Sequence, residues 1–336
     1  MQTLVTGATG FLGSHIAERL VARGDSVRAL VRTTSDTSFL ESLGVELVNG
    51  DITVRDSLPA ALGGVDIVYH AAANVSDWDP WSAFKTVTID GTRNMLRAAA
   101  NAGVKRFLHV STDGVYRYQD LAKGVDEDTP VESYFGPRDY YRRAKTAAEK
   151  IARRYHDKGR VPVSIVRPAL ILGERDAAMM PGAIAFLKGA TAAYMGSGQN
   201  QLPCIYAGDV ADLCIRAANE DQPGETYIAV NEEFVTQRDL FGAIAEFKGI
   251  DPPKRSVPYR LLYTAAGALE LFALLRGGSR RPDVTRFGVA LFGATFSEDN
   301  TKARERLGWA PEVGMREAVK RSVEYARSRK SEPVSG

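Results

Sequence analysis

The sequence predicts an α/β protein built on a doubly wound parallel sheet, and three observations carry that prediction. Short β-branched runs alternate with helical patterns as far as about residue 170, several runs are apolar at consecutive positions, and the first run enters a helix through a glycine-rich turn. Strands are expected at Thr3 to Thr6, Ser26 to Val31, Val45 to Val48, Val65 to His70, Arg106 to Val110 and Val163 to Val166. A run such as Val65-Asp66-Ile67-Val68-Tyr69 suits a sheet covered by helices on both faces, because neither face then meets water. Beyond Gly173 the elements shorten around Gly196-Ser197-Gly198, Pro223-Gly224 and Pro252-Pro253, which predicts a smaller lobe. Residues 1–172 are therefore assigned mainly to the sheet domain and 173–330 mainly to the lobe, with some strands and helices returning to the sheet. No block recurs at a fixed period. The last dozen residues lack apolar periodicity, so 331–336 are expected to form a frayed tail.

Composition narrows the function. Of 336 residues 44% are apolar and 25% charged, enough for a large core and unlike a disordered or fibrous chain. Lys plus Arg number 43 against 41 Asp plus Glu, and the net +2 gives no field to gather a polyanion, so nucleic acid is not expected as a partner. Cys204 and Cys214 match neither a zinc spacing nor a disulfide framework; buried thiols in a reducing compartment are expected, and no metal site. An apolar strand starts directly after Met1, leaving no room for a secretory leader, so synthesis and residence in the cytoplasm are expected. The apolar stretch Leu261 to Leu275 is interrupted by Glu270 and falls short of the roughly 20 residues a spanning helix needs.

Two motifs carry chemistry. Thr6-Gly7-Ala8-Thr9-Gly10-Phe11-Leu12-Gly13 follows the first strand and opens a helix with Ile16, Ala17 and Leu20 on its apolar side. Gly7 permits the tight turn, Gly10 lets a pyrophosphate approach the backbone, and Gly13 lets helix and strand pack closely, with helix amides facing the anion. Tyr141-Arg142-Arg143-Ala144-Lys145 places a phenol and an ammonium on one face of a predicted helix. A free tyrosine has a pKa near about 10, and bringing it to neutrality takes roughly 4 kcal/mol of phenolate stabilisation. Lys145 and an oxidised nicotinamide are expected to supply that field, with Tyr141 accepting the substrate's proton in oxidation and donating one in reduction. Neighbouring Tyr140 is excluded by spacing, because Ala144 stands four residues after it.

With its GxxGxxG turn and YxxxK pair, the chain resembles the extended short-chain dehydrogenase/reductases over nearly its whole length. The resemblance implies a Rossmann-type domain with a smaller C-terminal substrate-binding lobe. It implies a cofactor held by Gly7, Thr9, Gly10, Phe11, Leu12 and Gly13, by Asp51 and Ile52 after the third strand, by Ala71, Ala72 and Ala73 after the fourth, and by Lys145 and Pro168. Thr112, in Ser111-Thr112-Asp113-Gly114-Val115-Tyr116, matches the family hydroxyl that orients the substrate oxygen. At the end of the second strand, where a carboxylate would hold the ribose hydroxyls, this chain has Arg32 followed by Thr33 and Ser35. A guanidinium pairs with a ribose phosphate, so NADP(H) is favoured and NAD(H) is the alternative.

Departures from the family pattern point to the substrate. Asp113 is followed by Gly114 rather than a second acid, which disfavours dehydration, and Thr88 replaces an Asn that supports a water relay, leaving Asn94 for packing or a helix hydrogen bond. Arg167-Pro168-Ala169-Leu170 and Leu202 stand where nucleotide-sugar members carry polar contacts, so a diphosphate would be desolvated without compensation. Val75, Trp78, Trp81, Phe84, Tyr118, Phe135, Phe186 and Tyr194 suit an apolar pocket, with Asp113 and Tyr116 as further substrate contacts. The order of the C-terminal stretch resembles the 3β-hydroxysteroid dehydrogenase and sterol-4-carboxylate dehydrogenase branch. Its apolar helix is expected to cover the substrate, to rest peripherally on a membrane, or to be a core helix of the lobe. The resulting expectation is an NADP(H)-preferring oxidoreductase interconverting a secondary alcohol and a ketone on a small lipophilic substrate of the 3β-hydroxysteroid, sterol or long-chain ketoacid type. A nucleotide-sugar epimerase with tightly bound NAD(P) and a non-catalytic cofactor-binding regulator are the alternatives. The resemblance also suggests a homodimer packed through two helices per subunit.

Overall fold

The sheet is built outward from the first strand. In the computed structural model, which describes residues 1–233, 235–278 and 280–331, the strands in chain order are β1 (Gln2–Thr6), β2 (Ser26–Val31), β3 (Glu46–Asn49), β4 (Ile67–His70), β5 (Arg106–Val110), β6 (Val163–Pro168), β7 (Leu170–Leu172), β8 (Tyr194–Met195), β9 (Cys204–Tyr206), β10 (Thr226–Ala229) and β11 (Ser256–Val257). Seven of them form one parallel sheet in the order β10-β6-β5-β4-β1-β2-β3. The chain runs from β1 to one edge, returns to β4 and proceeds to the other. The reversal between β1 and β4, registered Thr6 to His70, opens a crevice beyond the carboxyl ends of those strands, where doubly wound sheets bind ligands.

The expected strands are present with small shifts. β4 starts at Ile67 because the Val65 amide closes a turn on the Leu62 carbonyl at 3.2 Å. Every residue of β4 and β6 is buried, as a sheet covered on both faces requires. The helix Phe11–Ala22, entered from β1, packs against Ala207–Asn219, whose Cys214 is buried, as is Cys204 in β9. Two short parallel pairs, β7 with β9 and β8 with β11, belong to the second half of the chain, which also supplies the edge strand β10. The last helix, Met315–Ser331, extends into the stretch expected to fray; residues 332–336 lie outside the described residues.

One expectation is corrected here. The apolar helix Tyr259–Leu275 is not a core helix, because only Ala266 and Glu270 of its residues are buried and most of its leucines face outward. Among the described residues no helix is long and apolar enough to cross a membrane.

Candidate active site

The glycine turn separates into two structural roles. Gly7 has φ +72°, and a Cβ there would lie 2.8 Å from the Ala72 amide nitrogen; a Cβ at Gly13 would lie 2.1 Å from the Gly7 carbonyl oxygen. Those two glycines let β1, the segment after β4 and the helix Phe11–Ala22 touch. Gly10 is different: it is exposed, has ordinary extended backbone, and an added Cβ would meet only the Gly7 oxygen at 3.1 Å. As N-cap it offers no side-chain acceptor, so the first helix amides remain for an anion. This open cradle fits a dinucleotide diphosphate.

The other cofactor candidates surround the same crevice. Thr9 is exposed, Phe11 half-buried and Leu12 buried, so Leu12 offers only its backbone. Arg32, Thr33 and Thr34 are exposed after β2, and among the described residues no ion pair holds the Arg32 guanidinium. Asp51 Oδ1 accepts hydrogen bonds from the Thr53 amide and hydroxyl, both at 2.8 Å, leaving its other oxygen free of them. Ile52 is buried, and Asn94 Nδ2 donates to its carbonyl at 2.9 Å, which gives Asn94 its role. Ala71, Ala72 and Ala73 continue β4 beside Gly7, and Pro168 closes the buried β6. Thr88 lies in a π-helical turn, Lys85–Asp90, where its hydroxyl accepts from the Asn74 amide at 3.0 Å.

The helix Tyr140–Asp157 carries both Tyr141 and Lys145 past the end of β5. Glu149 anchors it: this buried carboxylate accepts from Ser111 Oγ at 2.6 Å and pairs with buried Arg167 of β6 at 2.6 Å. Lys145 Nζ donates to the Val110 carbonyl at 2.6 Å, and burial lowers its pKa to about 8. Tyr141 is half-buried, with Phe287 edge-on at 6.0 Å and Thr112 as its hydrogen-bond neighbour. Burial raises its phenol to about 12 against the opposing hydrogen bond from Thr112. Burial is thus the largest influence on Tyr141 within the chain, and the lowering expected of Lys145 is one that its charge exerts together with an oxidised nicotinamide. Tyr140 points elsewhere, packing on Trp81 and Phe84.

Behind Tyr141 stands a chain of oxygens. Thr112 Oγ1 donates to Asp113 Oδ1 at 2.9 Å and accepts from the Gly114 amide at 3.2 Å. The Thr112 hydroxyl thus lies between Asp113 and Tyr141. The Asp113 carboxyl in turn meets that of Glu298, whose two oxygens are buried and reach no N–H or O–H donor. Two carboxyls so placed cannot both ionise cheaply, so burial and then Asp113 raise Glu298 well above the usual carboxyl range, and burial raises Asp113 as well. Glu298 arrives from the second half of the chain, bridged to Val125, with the Asp299 amide donating to the Val125 carbonyl at 3.0 Å. The local motif gave no signal for it. Arg142, inside the YxxxK motif, was also missed: Nε donates to the Gly114 carbonyl at 2.7 Å and Nη2 to the Tyr116 carbonyl at 2.5 Å, fixing the turn that holds Thr112.

The candidate substrate residues scatter. Val75 is exposed, while Trp78 donates Nε1 to the Gly278 carbonyl at 2.8 Å beneath Arg138, and Asp77 pairs with Arg281 at 2.6 Å, so this loop clasps the C-terminal segment. Tyr116 is fully buried; its hydroxyl donates to the Asp126 carbonyl at 2.8 Å and accepts from Arg167 at 2.5 Å, so it has nothing left for a substrate and acts in packing. Phe84 and Leu202 are buried too. Phe186 packs on Phe241 and beneath the apolar helix with Ala266 and Val289, and Tyr194 stacks on Phe241. Tyr118 and Phe135 face Arg142. The groups brought together are Tyr141, Thr112, Asp113, Glu298 and, as an apolar wall, Phe287.

Known proteins share this architecture. A family model described as "NAD dependent epimerase/dehydratase family" matches residues 3–231. The chain is 31% identical to a 4-hydroxy-2-methyl-3-oxo-4-farnesyl-3,4-dihydroquinoline-1-oxide ketoreductase of Stigmatella aurantiaca, covering 93% of each, and 31% identical to sterol demethylase protein B of Methylococcus capsulatus, covering 98% and 99%. Among solved structures it is similar to gox2253, with TM-score 0.80, 33% identity and coverage of 97% and 98%. It is also similar to the dTDP-glucose 4,6-dehydratase DesIV of Streptomyces venezuelae, solved with NAD and TYD bound, with TM-score 0.77, 26% identity and 98% coverage of both.

Proposed function

Because the chain belongs to the NAD-dependent epimerase/dehydratase family, we propose that it is an NADP(H)-preferring oxidoreductase that interconverts a ketone and a secondary alcohol on a small lipophilic substrate. The observation that carries this reading is the placement of the Tyr141 phenol between the Thr112 hydroxyl and the Phe287 ring. When bound, the nicotinamide dinucleotide supplies or accepts the hydride. Tyr141 then has one task in reduction: its Oη–H, fully protonated at neutral pH, is given to the carbonyl oxygen. Thr112 keeps that hydroxyl in place from the polar side, and Phe287 excludes water from the other. Lys145, through Val110, ties the helix to the end of β5, and its neighbouring positive charge favours the phenolate that remains.

A lipophilic substrate is supported by the ketoreductase and sterol relatives and by the apolar Leu170 at the position where nucleotide-sugar members carry an Asn. The exposed Arg32 supports the phosphate-bearing cofactor, and reversal to Arg32→Asp is expected to weaken NADPH binding by about tenfold or more while sparing NADH. The reading places the enzyme on the cytoplasmic side as a homodimer, which sedimentation at micromolar concentration checks. Nicotinamide absorbance tests the activity. Long-chain ketoacids and 3-ketosteroids should consume NADPH with wild type and not with Tyr141→Phe; equal turnover by the variant would sink the assignment.

A further inference from the structure

The helix Tyr259–Leu275 is inverted relative to a helix of a water-soluble surface. Its one acid, Glu270, is buried, with Oε2 accepting from Arg286 Nε at 2.8 Å and Oε1 from the Arg286 amide at 2.7 Å. Its apolar residues are outside: Leu261 is 60% exposed, Leu271 59%, Phe272 53% and Leu275 78%. At 100° per residue these four share one face, with Ala265 and Ala268 between them, and no charge interrupts that face from Arg260 to Arg276. A contiguous apolar surface of this kind marks an interaction site.

Charge identifies the occupant. Residues 254–286 contain seven Lys and Arg against two Asp and Glu, a net +5 that Asp251 beside Lys254 and Asp77 beside Arg281 reduce to +3, more than the +2 of the whole chain. Arg260, Arg276 and Arg280 are exposed at the two ends of the apolar face, and the Arg276 guanidinium lies over the Phe272 ring. A second copy would set one net positive surface against another. An anionic lipid surface satisfies both features, taking the leucines into its acyl boundary and the arginines at its phosphates.

We propose that the helix Tyr259–Leu275 lies in the surface of an anionic phospholipid bilayer, apolar face inward, and that the catalytic pocket exchanges its substrate with that bilayer. The second clause rests on the ketone-reductase reading; the docking itself does not. The geometry joins the two, because the helix Arg286–Gly293 packs on the docked helix and presents Phe287 to Tyr141.

Flotation of the full chain with vesicles tests the docking. Wild type is expected to float with phosphatidylglycerol–phosphatidylcholine vesicles about tenfold more than with phosphatidylcholine alone, and to be released by about 0.5 M salt. Leu271→Glu with Phe272→Glu, Leu271→Gln alone, and Arg276→Glu with Arg280→Glu should each lose binding, the first pair by about tenfold or more, with unchanged melting and cofactor affinity. Indifference of wild type to both vesicles overturns the proposal, as does binding that survives the substitutions. A lipid-free dimer that Leu271→Glu breaks would assign the face to a second copy and overturn it as well. Flotation requires no substrate, so failed docking with intact ketone reduction refutes the membrane alone, and docking without any ketone reduction refutes the enzymatic reading alone.

Discussion

Gly10→Ala and Gly13→Ala separate what the glycine turn does for the fold from what it does for the cofactor. At Gly13 the new methyl would sit 2.1 Å from the Gly7 carbonyl oxygen and 3.0 Å from the Ala8 Cα, and ordinary contact begins at 3.4 Å. The helix Phe11–Ala22 must therefore retreat from the turn by about 1.3 Å, far beyond what a packed interior absorbs. A loss of about 3 kcal/mol, the upper end for an overpacked site, would lower the melting temperature by about 4 °C. At Gly10 the methyl meets the same oxygen at 3.1 Å, its backbone already suits alanine, and a shift of about 0.3 Å relieves the contact. Gly10→Ala should then melt like wild type. Its methyl stands in the cradle, however, so NADPH affinity should fall by about tenfold, or 1.4 kcal/mol. Circular dichroism melts and cofactor titration by nucleotide fluorescence read the two effects. A Gly10→Ala protein that binds NADPH as tightly as wild type would refute the placement of the diphosphate on this turn.

Three further outcomes follow from the same geometry. Glu298 takes up a proton on folding, because its folded pKa lies above the ordinary carboxyl value, so its burial costs stability increasingly as pH rises from about 4.5 toward that folded pKa. Glu298→Gln removes the cost, and urea midpoints should show the variant gaining on wild type between pH 5 and pH 8; a constant difference would contradict the raised Glu298 carboxyl. Glu149→Ala leaves Arg167 buried without its counter-charge and should cost about 3–5 kcal/mol, measured by denaturant unfolding. Arg142→Leu frees the turn that carries Thr112, and turnover should fall by about tenfold or more with little change in melting of the cofactor complex; retained turnover would show that the turn holds itself.

The sequence disclosed what depends on local periodicity. Runs of Val, Ile and Leu marked β1 to β6 within two residues but not the edge strand β10, and the spacing of Tyr141 and Lys145 put both on one helix. What it did not disclose depends on contacts between distant segments. Glu298 stands between Ser297 and Asp299 with no pattern to distinguish it, yet the bridge to Val125 carries it to Asp113. Trp78 and Tyr116 read equally well as pocket or packing until their hydrogen bonds to Gly278 and Asp126 are known. The apolar helix had the composition of a core element, and only the fold reveals that its leucines point outward while Glu270 points in.

Hydride transfer from the nicotinamide, coupled to the proton from Tyr141, is most directly tested by isotope. NADPH carrying deuterium at the transferable position is incubated with wild type or Tyr141→Phe and a lipophilic ketone, and the product is examined by mass spectrometry. The account predicts one deuterium on the carbinol carbon with wild type and no labelled alcohol with the variant. An unlabelled product, or a nucleotide sugar epimerised without net cofactor oxidation, would contradict it.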